Sequence, residues 1–284
     1  MQLIKGTTKL LGVIGHPVEH SQSPKMHNAA IASLGLDYIY LPFPVQPKDL
    51  EDAIAGFRAI GVVGFSITIP HKQAIIPLLS EVSDIAQAVG AVNTVKNTAG
   101  GWIGTNTDVE GFIAPLFAYN RDWSQTEAVI LGNGGAARAV VAGCAKLGCA
   151  SIHVVGRNRE NLNAFQQSWS NSPLAINNLH IHLWEELPNL ISQADLLVNT
   201  TPVGMSPKVD QSPVDTGVMA RLKKDAIAYD LIYTPRPTKF LQQAKTQGAI
   251  AIDGLEMLVQ QGAIALKFWL DKEPPVDVMR QALK

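Results

Sequence analysis

Cysteine is nearly absent from this chain: Cys144 and Cys149 are the two thiols among 284 residues. They lie close together, form no metal-ligand pattern with neighbouring histidines, and are too few for a disulfide framework, which suits a reducing compartment. No apolar run approaches the roughly 18 residues that span a bilayer, and the first residues mix polar with apolar side chains. The expectation is a cytoplasmic protein with no membrane partner. An excess of either charge is missing too: 23 Lys and Arg face 24 Asp and Glu, so no basic field exists to draw a nucleic acid. There is no Gly-x-Ser-x-Gly elbow or Cys/His arrangement for nucleophilic catalysis, and no internal repeat or low-complexity segment.

What the chain does have is apolar mass and strong punctuation. With 46% hydrophobic residues over 284 positions it can fill two ordinary cores. The apolar run Ala128-Val129-Ile130-Leu131 enters Gly132-Asn133-Gly134-Gly135-Ala136-Ala137-Arg138. A strand, a glycine turn and a helix in that order match the G-x-G-x-x-A pattern of a dinucleotide site. Gly132 permits the tight turn, Gly134 lets backbone N–H groups approach a pyrophosphate, and the small Ala137 lets the helix pack close to the strand. The helix N-terminus adds unpaired donors and partial positive charge. Gly156-Arg157-Asn158-Arg159 follows the next apolar strand, where an NAD site commonly places an acidic residue for the ribose 2′-OH. Arginine there suits a 2′-phosphate, which predicts NADP; the plainer alternative is a pair of solvated charges at a helix start.

The surrounding pattern is α/β throughout. Residues 9–14, 38–41 and 64–67 read as strands, with helices starting near Ser23 and Asp49, giving a β-α-β-α-β unit with a mostly parallel sheet. Ser23-Pro24 reads as an N-cap followed by proline at the first helical position, with helical spacing through Met26, Ala29, Ala30 and Leu34 to a stop at Gly35. Asn97-Thr98-Ala99-Gly100-Gly101 reads as a hairpin turn. Pro115 ends or kinks a helix over 107–119. Beyond it, strands at 128–131, 151–155, 195–199 and 226–231 alternate with helices at 136–147, 159–169 and 238–246. Helical patterns at 255–270 and 276–283 have no strand after them and are assigned to the first domain. The expected division is 1–107 with 254–284 against 108–253.

Polar residues gather where strands end or helices begin, the places at which open α/β sheets bind ligands. They are Ser21-Gln22-Ser23, Thr68-Ile69-Pro70-His71-Lys72, Asn93-Thr94 and Thr105-Asn106-Thr107-Asp108. Each has a plain reading as a cap or turn, but four in one small domain favour a ligand. Lys72 and Asp108 are the pair chosen for proton transfer, because a partly buried ammonium can exchange a proton with a substrate hydroxyl while a carboxylate orients it. The plain alternative is a surface ion pair, and His71 is a rival base. His16, His20 and His27 have no acidic or cysteine partner, and the prolines at 17 and 24 interrupt them, so no metal is expected.

These blocks resemble the shikimate dehydrogenase family in order and over nearly the whole chain. The resemblance is carried by Gly15-His16-Pro17-Val18-Glu19-His20-Ser21-Gln22-Ser23-Pro24, Ser66-Ile67-Thr68-Ile69-Pro70-His71-Lys72, Gly90-Ala91-Val92-Asn93-Thr94, Gly104-Thr105-Asn106-Thr107-Asp108 and the glycine turn. It continues through Asn199-Thr200-Thr201-Pro202-Val203-Gly204-Met205, Tyr229-Asp230-Leu231-Ile232-Tyr233 and Gly254-Leu255-Glu256-Met257-Leu258-Val259-Gln260-Gln261.

The resemblance implies an α/β substrate domain, completed by the C-terminal helices, across a cleft from a Rossmann-like NADP domain. The implied reaction is reversible NADPH-dependent reduction of 3-dehydroshikimate to shikimate. It makes Ser21, Ser23, Thr68, Asn93 and Gln261 substrate ligands, Tyr233 a neighbour of the carboxylate, and Lys72 and Asp108 the catalytic pair, also in contact with substrate. Around the dinucleotide it places Gly132, Asn133, Gly134, Gly135, Ala136, Gly156, Arg157, Asn158 and Arg159, with Thr200, Thr201, Pro202, Leu231 and Gly254 completing the cofactor set. The alternatives are a quinate/shikimate dehydrogenase of broader specificity, against which Ser21, Ser23 and Arg157 argue, and a non-catalytic metabolite sensor, against which Lys72 and Asp108 argue. The expected partner is a small molecule, and a homodimer is left open. The chain departs from the family at Gly156, where asparagine is usual, at Asn158, where threonine is common, at Asn161, where a second basic residue is frequent, and at Asn133, where the residue is small; Arg159 offers a compensating charge.

Overall fold

A computed structural model describes residues 4–170 and 172–284. The chain divides into two compact units, one running to Gly111 and resuming over Val259–Lys284, the other Phe112–Leu258. Both divisions fall inside helices, Asp108–Ile113 and Gly254–Leu270, a few residues past the helix starts chosen from the sequence. Successive turns of one helix serve different cores: Asp108 bonds Lys72, whereas Phe112 stacks on Tyr229 with ring centroids 5.1 Å apart.

The first unit contains β1 (Lys9–Gly15), β2 (Tyr38–Pro44), β3 (Gly64–Ile67), β4 (Glu81–Val82), β5 (Thr94–Thr98) and β6 (Gly101–Thr105), in the sheet order β2-β1-β3-β5-β6-β4. β1 is parallel to both neighbours, with Leu11 opposite Tyr40 and Val13 opposite Ser66. The hairpin β5-β6 turns at residues 99–100 and pairs antiparallel with β3. Its core is a cluster of fully or nearly buried Ile14, Phe65, Ile67, Val95 and Trp102, each side chain contributing about 1.5–3 kcal/mol through burial. Late in the chain, Trp269 Nε1 donates to the Val95 carbonyl at 2.9 Å, which fixes the end of helix Gly254–Leu270 to this sheet. Helix Val276–Ala282 packs on helix Ser23–Ser33.

Ser23 does not cap that helix. The helix begins at Ser23, the capping position is Gln22 without a side-chain bond, and Pro24 lies inside the first turn. Proline is tolerated there because first-turn N–H groups have no partner within the helix. The Ser21 hydroxyl accepts from the Ser23 N–H at 3.3 Å, so the Ser23 hydroxyl is released from capping.

The second unit contains β7 (Glu127–Leu131), β8 (Ser151–Gly156), β9 (Leu179–Leu183), β10 (Leu196–Asn199), β11 (Ile227–Asp230) and β12 (Ile250–Ile252), all parallel, in the order β12-β11-β10-β7-β8-β9. Counted within the unit this is the doubly wound 3-2-1-4-5-6 order, whose ligand crevice lies at the carboxyl ends of the central strands where the order reverses. Leu131 stands opposite both Val155 and Asn199, so the glycine turn leaves the sheet at that reversal. Two of the six strands, β9 and β12, are not among the four read from the pattern. β9 alternates His180 and His182 with leucine and isoleucine, and β12 has three residues; both are edge strands recruited by pairing rather than by apolar content. Val129, Leu131, Leu197 and Ala228 pack against Phe240, Leu241 and Ala244 of helix Lys239–Thr246. Among the described residues no helix is long and apolar enough to cross a membrane.

Candidate functional site

In the first unit the carboxyl ends of adjacent parallel strands bring two predicted segments together. The His16 N–H, just past β1, donates to the Ile69 carbonyl just past β3 at 3.0 Å, and the Thr68 N–H returns to the Ile14 carbonyl at 2.9 Å. The Ser21–Ser23 segment and the Thr68–Lys72 segment therefore leave the sheet side by side. Lys72 lies in the short helix His71–Ala74, held in place because its carbonyl accepts from the Val92 N–H at 2.8 Å.

Asn93 is the hub of the polar network. Its Nδ2 donates to Asp108 Oδ1 at 2.8 Å and to Thr107 Oγ1 at 3.0 Å. Its Oδ1 accepts from the Thr107 N–H at 2.8 Å and from Thr94 Oγ1 at 3.0 Å. Asp108 uses its other oxygen for Lys72, with Nζ to Oδ2 at 2.7 Å. Asn106 holds the backbone of the same residue, accepting from the Asp108 N–H at 3.0 Å while donating to the Ala91 carbonyl at 2.9 Å. Gln261, from the C-terminal helix, joins through its Oε1, which accepts from Thr107 Oγ1 at 3.5 Å. The side chains of Lys72 and Asp108 are 32% and 18% exposed, so the pair is shielded yet reachable, unlike a freely solvated surface pair.

The two neighbouring bases have different partners. The His71 ring is buried, and its Nε2 sits 2.7 Å from the Val45 carbonyl. A carbonyl only accepts, so that nitrogen carries a proton and is committed. His27 is also buried, stacked on Tyr40 at 4.3 Å, and burial drives its basicity down to about 3, leaving a neutral ring. Among the described residues no cluster of His, Cys, Asp and Glu could hold a metal ion. Thr107 and Asn106 belong to the Thr105–Asp108 cluster read from the sequence as favouring a ligand, but of that cluster only Asp108 was given a role.

The second unit builds its site largely by leaving space. Gly132 adopts φ +104°, a left-handed conformation that suits glycine, and a Cβ there would stand 2.8 Å from Thr200 Oγ1. Thr200 closes the turn by donating through its N–H at 3.0 Å and its hydroxyl at 2.7 Å to the Leu131 carbonyl. Gly134 occupies the N-cap of helix Gly135–Leu147 with no side-chain cap, and among the described residues nothing beyond the chain neighbours and the helix's own backbone lies within 4 Å of where a Cβ at Gly134 or Gly135 would stand. Ala136 is exposed while Ala137 is buried against the sheet. Uncapped first-turn donors beside an open cradle fit an anionic pyrophosphate.

Gly156 has no such room. A Cβ would come within 2.9 Å of Leu162 Cδ2 and 3.3 Å of Asn133 Oδ1, so the Asn133 side chain fills the space beside it. Arg157 is exposed and makes no hydrogen bond or ion pair among the described residues. Asn158 caps helix Arg159–Gln167, its Oδ1 accepting from the Asn161 N–H at 2.8 Å, so that oxygen is committed to the backbone. Arg159 pairs with Glu186 at 3.5 Å.

The loop after β10 is fixed by a buried network that the sequence did not suggest. Asn199 Oδ1 accepts from the Thr201 N–H at 3.0 Å and from its hydroxyl at 2.7 Å, while Nδ2 donates to Asp230 Oδ1 at 3.0 Å. Asp230 also accepts from Thr238 Oγ1 at 2.6 Å and from the Ile232 N–H at 3.1 Å. Burial pushes the Asp230 carboxyl up to about 6 despite these donors. Its signal was a lone acid closing the apolar run Ile227-Ala228-Tyr229. Pro202 is exposed on this loop, and the Leu231 carbonyl lies where a Cβ at Gly254 would be 2.1 Å away. Tyr233 follows β11, largely buried, and burial raises its hydroxyl.

Comparison with known proteins covers both units. A family model described as the shikimate dehydrogenase substrate binding domain matches residues 13–95, one described as shikimate / quinate 5-dehydrogenase matches 117–258, and one described as the shikimate 5′-dehydrogenase C-terminal domain matches 254–284. A relative from Trichormus variabilis, named shikimate dehydrogenase (NADP(+)), is 69% identical, over 99% of this chain and 98% of its own length. A crystal structure of a shikimate dehydrogenase in complex with NADP+ is 39% identical with a TM-score of 0.91, covering 99% of this chain and 96% of that one. The shikimate 5-dehydrogenase of Listeria monocytogenes, solved with shikimate and NAD, is 34% identical with a TM-score of 0.89, covering 100% of this chain and 99% of that one. By its family models and its near full-length relatives, this chain belongs to the shikimate dehydrogenase family.

Proposed function

We propose that this protein is an NADP-dependent shikimate dehydrogenase, exchanging hydride reversibly between NADPH and the C3 carbonyl of 3-dehydroshikimate. The observation that carries the reading is the bonded set Lys72–Asp108–Asn93. The bound dinucleotide supplies the hydride in one direction and accepts it in the other. Lys72 Nζ gives its proton to the oxygen at C3 during reduction and takes it back from the hydroxyl during oxidation. Asp108 holds the ammonium, and Asn93, bonded to the other carboxylate oxygen, fixes the carboxylate plane. Ser21, Ser23, Thr68, Asn93 and Gln261 offer hydroxyl and amide groups to the substrate carboxylate and hydroxyls, with Tyr233 beside the carboxylate. Such a site rejects an analogue that lacks one of those hydroxyls, because a polar group is then left without a partner.

For the dinucleotide, the uncapped start of helix Gly135–Leu147 receives the pyrophosphate, and Asn133 and Gly156 border it. Arg157 meets the 2′-phosphate, and Asn158 and Arg159 stand at the same turn. Thr200, Thr201, Pro202, Leu231 and Gly254 line the nicotinamide end. The partner is a small molecule. A homodimer is tested by sedimentation, where a monomer at micromolar concentration would remove it. A cytoplasmic location is supported by the two buried free thiols, Cys144 and Cys149, and is tested by cell fractionation.

The test of function is turnover followed by nicotinamide absorbance with shikimate or quinate and NADP or NAD. Shikimate with NADP gives the highest kcat/KM; a clear preference for quinate or NAD overturns the reading.

A further inference from the structure

Along β7, β8 and β9 of the second unit runs a chain of ionisable side chains that the proposed reaction does not use. Glu127 Oε2 lies 2.9 Å from His153 Nε2, His153 Nδ1 lies 3.0 Å from His182 Nε2, and His182 Nδ1 lies 3.2 Å from Glu186 Oε2. Both ends are carboxylates, which only accept. When all three contacts are hydrogen bonds, the four ring nitrogens hold three protons, one more than two neutral imidazoles carry. Burial opposes that extra proton and holds the His153 ring below its usual basicity. Glu186 is anchored again at its other oxygen, which accepts from the Leu183 N–H at 2.7 Å. That backbone donor, followed by His182, holds the carboxyl below its usual range, so it stays anionic.

This fixed anion meets Arg159, with Nη2 3.5 Å from Oε1. Glu186 has three partners, whereas Arg159 has Glu186 alone among the described residues. The carboxylate is therefore the anchored member and the guanidinium the one that is held. Arg157, two residues earlier, is exposed and without a partner among the described residues. Of the two arginines after β8, one is paired with a carboxylate and one is not.

We infer that Glu186 is a specificity-determining residue acting through Arg159: by occupying that guanidinium it weakens recognition of the 2′-phosphate of NADP and leaves that recognition to Arg157. The inference rests on the NADP reading above. Both members of the pair are nearly half exposed, so water and salt screen them and the effect is a factor of a few rather than of hundreds.

Isothermal titration with NADP+, NAD+ and adenosine 2′,5′-bisphosphate tests it without reference to activity. Glu186→Gln keeps an acceptor for the Leu183 N–H and removes the charge, and an unchanged thermal melt establishes that the fold is intact. The variant binds NADP+ and the bisphosphate about threefold tighter, with NAD+ unchanged, and the gain disappears in Glu186→Gln/Arg159→Ala. Unchanged or weaker NADP+ binding in Glu186→Gln overturns the inference, as does an equal gain for NAD+. Arg157→Ala separates the two levels. If it abolishes the preference for NADP+ while Glu186→Gln does nothing, only this inference falls; if it leaves the NADP+ to NAD+ ratio untouched, the cofactor reading falls and this inference with it.

Discussion

The polar site of the first unit is crowded, and that of the second is bare. Around Asp108 each side-chain oxygen already has a donor, and Asn93 alone makes four bonds to Asp108, Thr107 and Thr94. Gly134 has no side chain to make one, and among the described residues nothing beyond its chain neighbours and its own helix backbone lies within 4 Å of where its Cβ would stand. Crowding fixes the direction of a proton-bearing group before any ligand arrives, which matters when chemistry depends on geometry. Bareness leaves backbone donors open to a large anion, which matters when the task is to hold it. Damage to the first region should therefore appear in kcat, and damage to the second in dinucleotide affinity.

The sharpest way to break that contrast is Lys72→Ala. Turnover falls by about 10²–10⁴-fold, the usual contribution of positioned proton transfer, while dinucleotide affinity, read by fluorescence titration, stays within about twofold of the wild type. A variant retaining kcat to within about tenfold would remove Lys72 as the proton carrier.

Asp230 qualifies the contrast, because the second unit has one crowded network of its own beneath the bare loop. In the unfolded chain the carboxyl titrates near 3.8, and in the fold burial raises it to about 6. The folded state thus binds the proton more tightly. Stability from this group is full below about pH 4, declines as pH rises through about 6, and is lost above that. The change amounts to about 3 kcal/mol. Urea denaturation of the wild type and Asp230→Asn across this window measures it, the difference in their stabilities declining toward pH 6 and then levelling. A difference that does not vary with pH would refute the assignment.

Smaller in energy but closest to the comparison are Gly132→Ala and Gly134→Ala. Both weaken dinucleotide binding by tenfold or more on the proposed reading. The first also destabilises the fold by about 1–3 kcal/mol, since its backbone is left-handed and Thr200 blocks the Cβ. The second costs stability no more than about 1 kcal/mol, the loss of a favourable N-cap residue, because nothing stands in its way. Thermal melts beside titrations separate them; equal destabilisation would mean that the turn is not bare at Gly134.

The strand–turn–helix at Gly132 was legible because all its determinants lie within a few residues: an apolar run, a left-handed glycine, an uncapped helix start. β1 and the central strands of the second sheet, β7, β8 and β10, were legible for the same reason, as buried runs rich in valine, isoleucine and leucine. β9 and β12 were not, since an edge strand with polar alternation or three residues is defined by the neighbour it pairs with. Nor was the exact start of helix Ser23–Ser33, since the serine read as its cap is its first residue and Gln22 stands at the capping position without a side-chain bond.

By itself the sequence determined the class of each unit, the glycine turn and the residue types gathered at the strand ends, because period, turn conformation and capping act locally. Tertiary structure alone decided which partners two adjacent basic side chains meet. His71 and Lys72 are neighbours in one short helix, yet the ring is committed to a carbonyl 26 residues away and the ammonium to a carboxylate 36 residues away. It likewise decided that Arg157 is open and Arg159 occupied, since the anion that distinguishes them stands on the turn after a strand the pattern did not reveal. Hydrogen bonds and charges are made with partners in space, and only the folded chain brings those partners within reach.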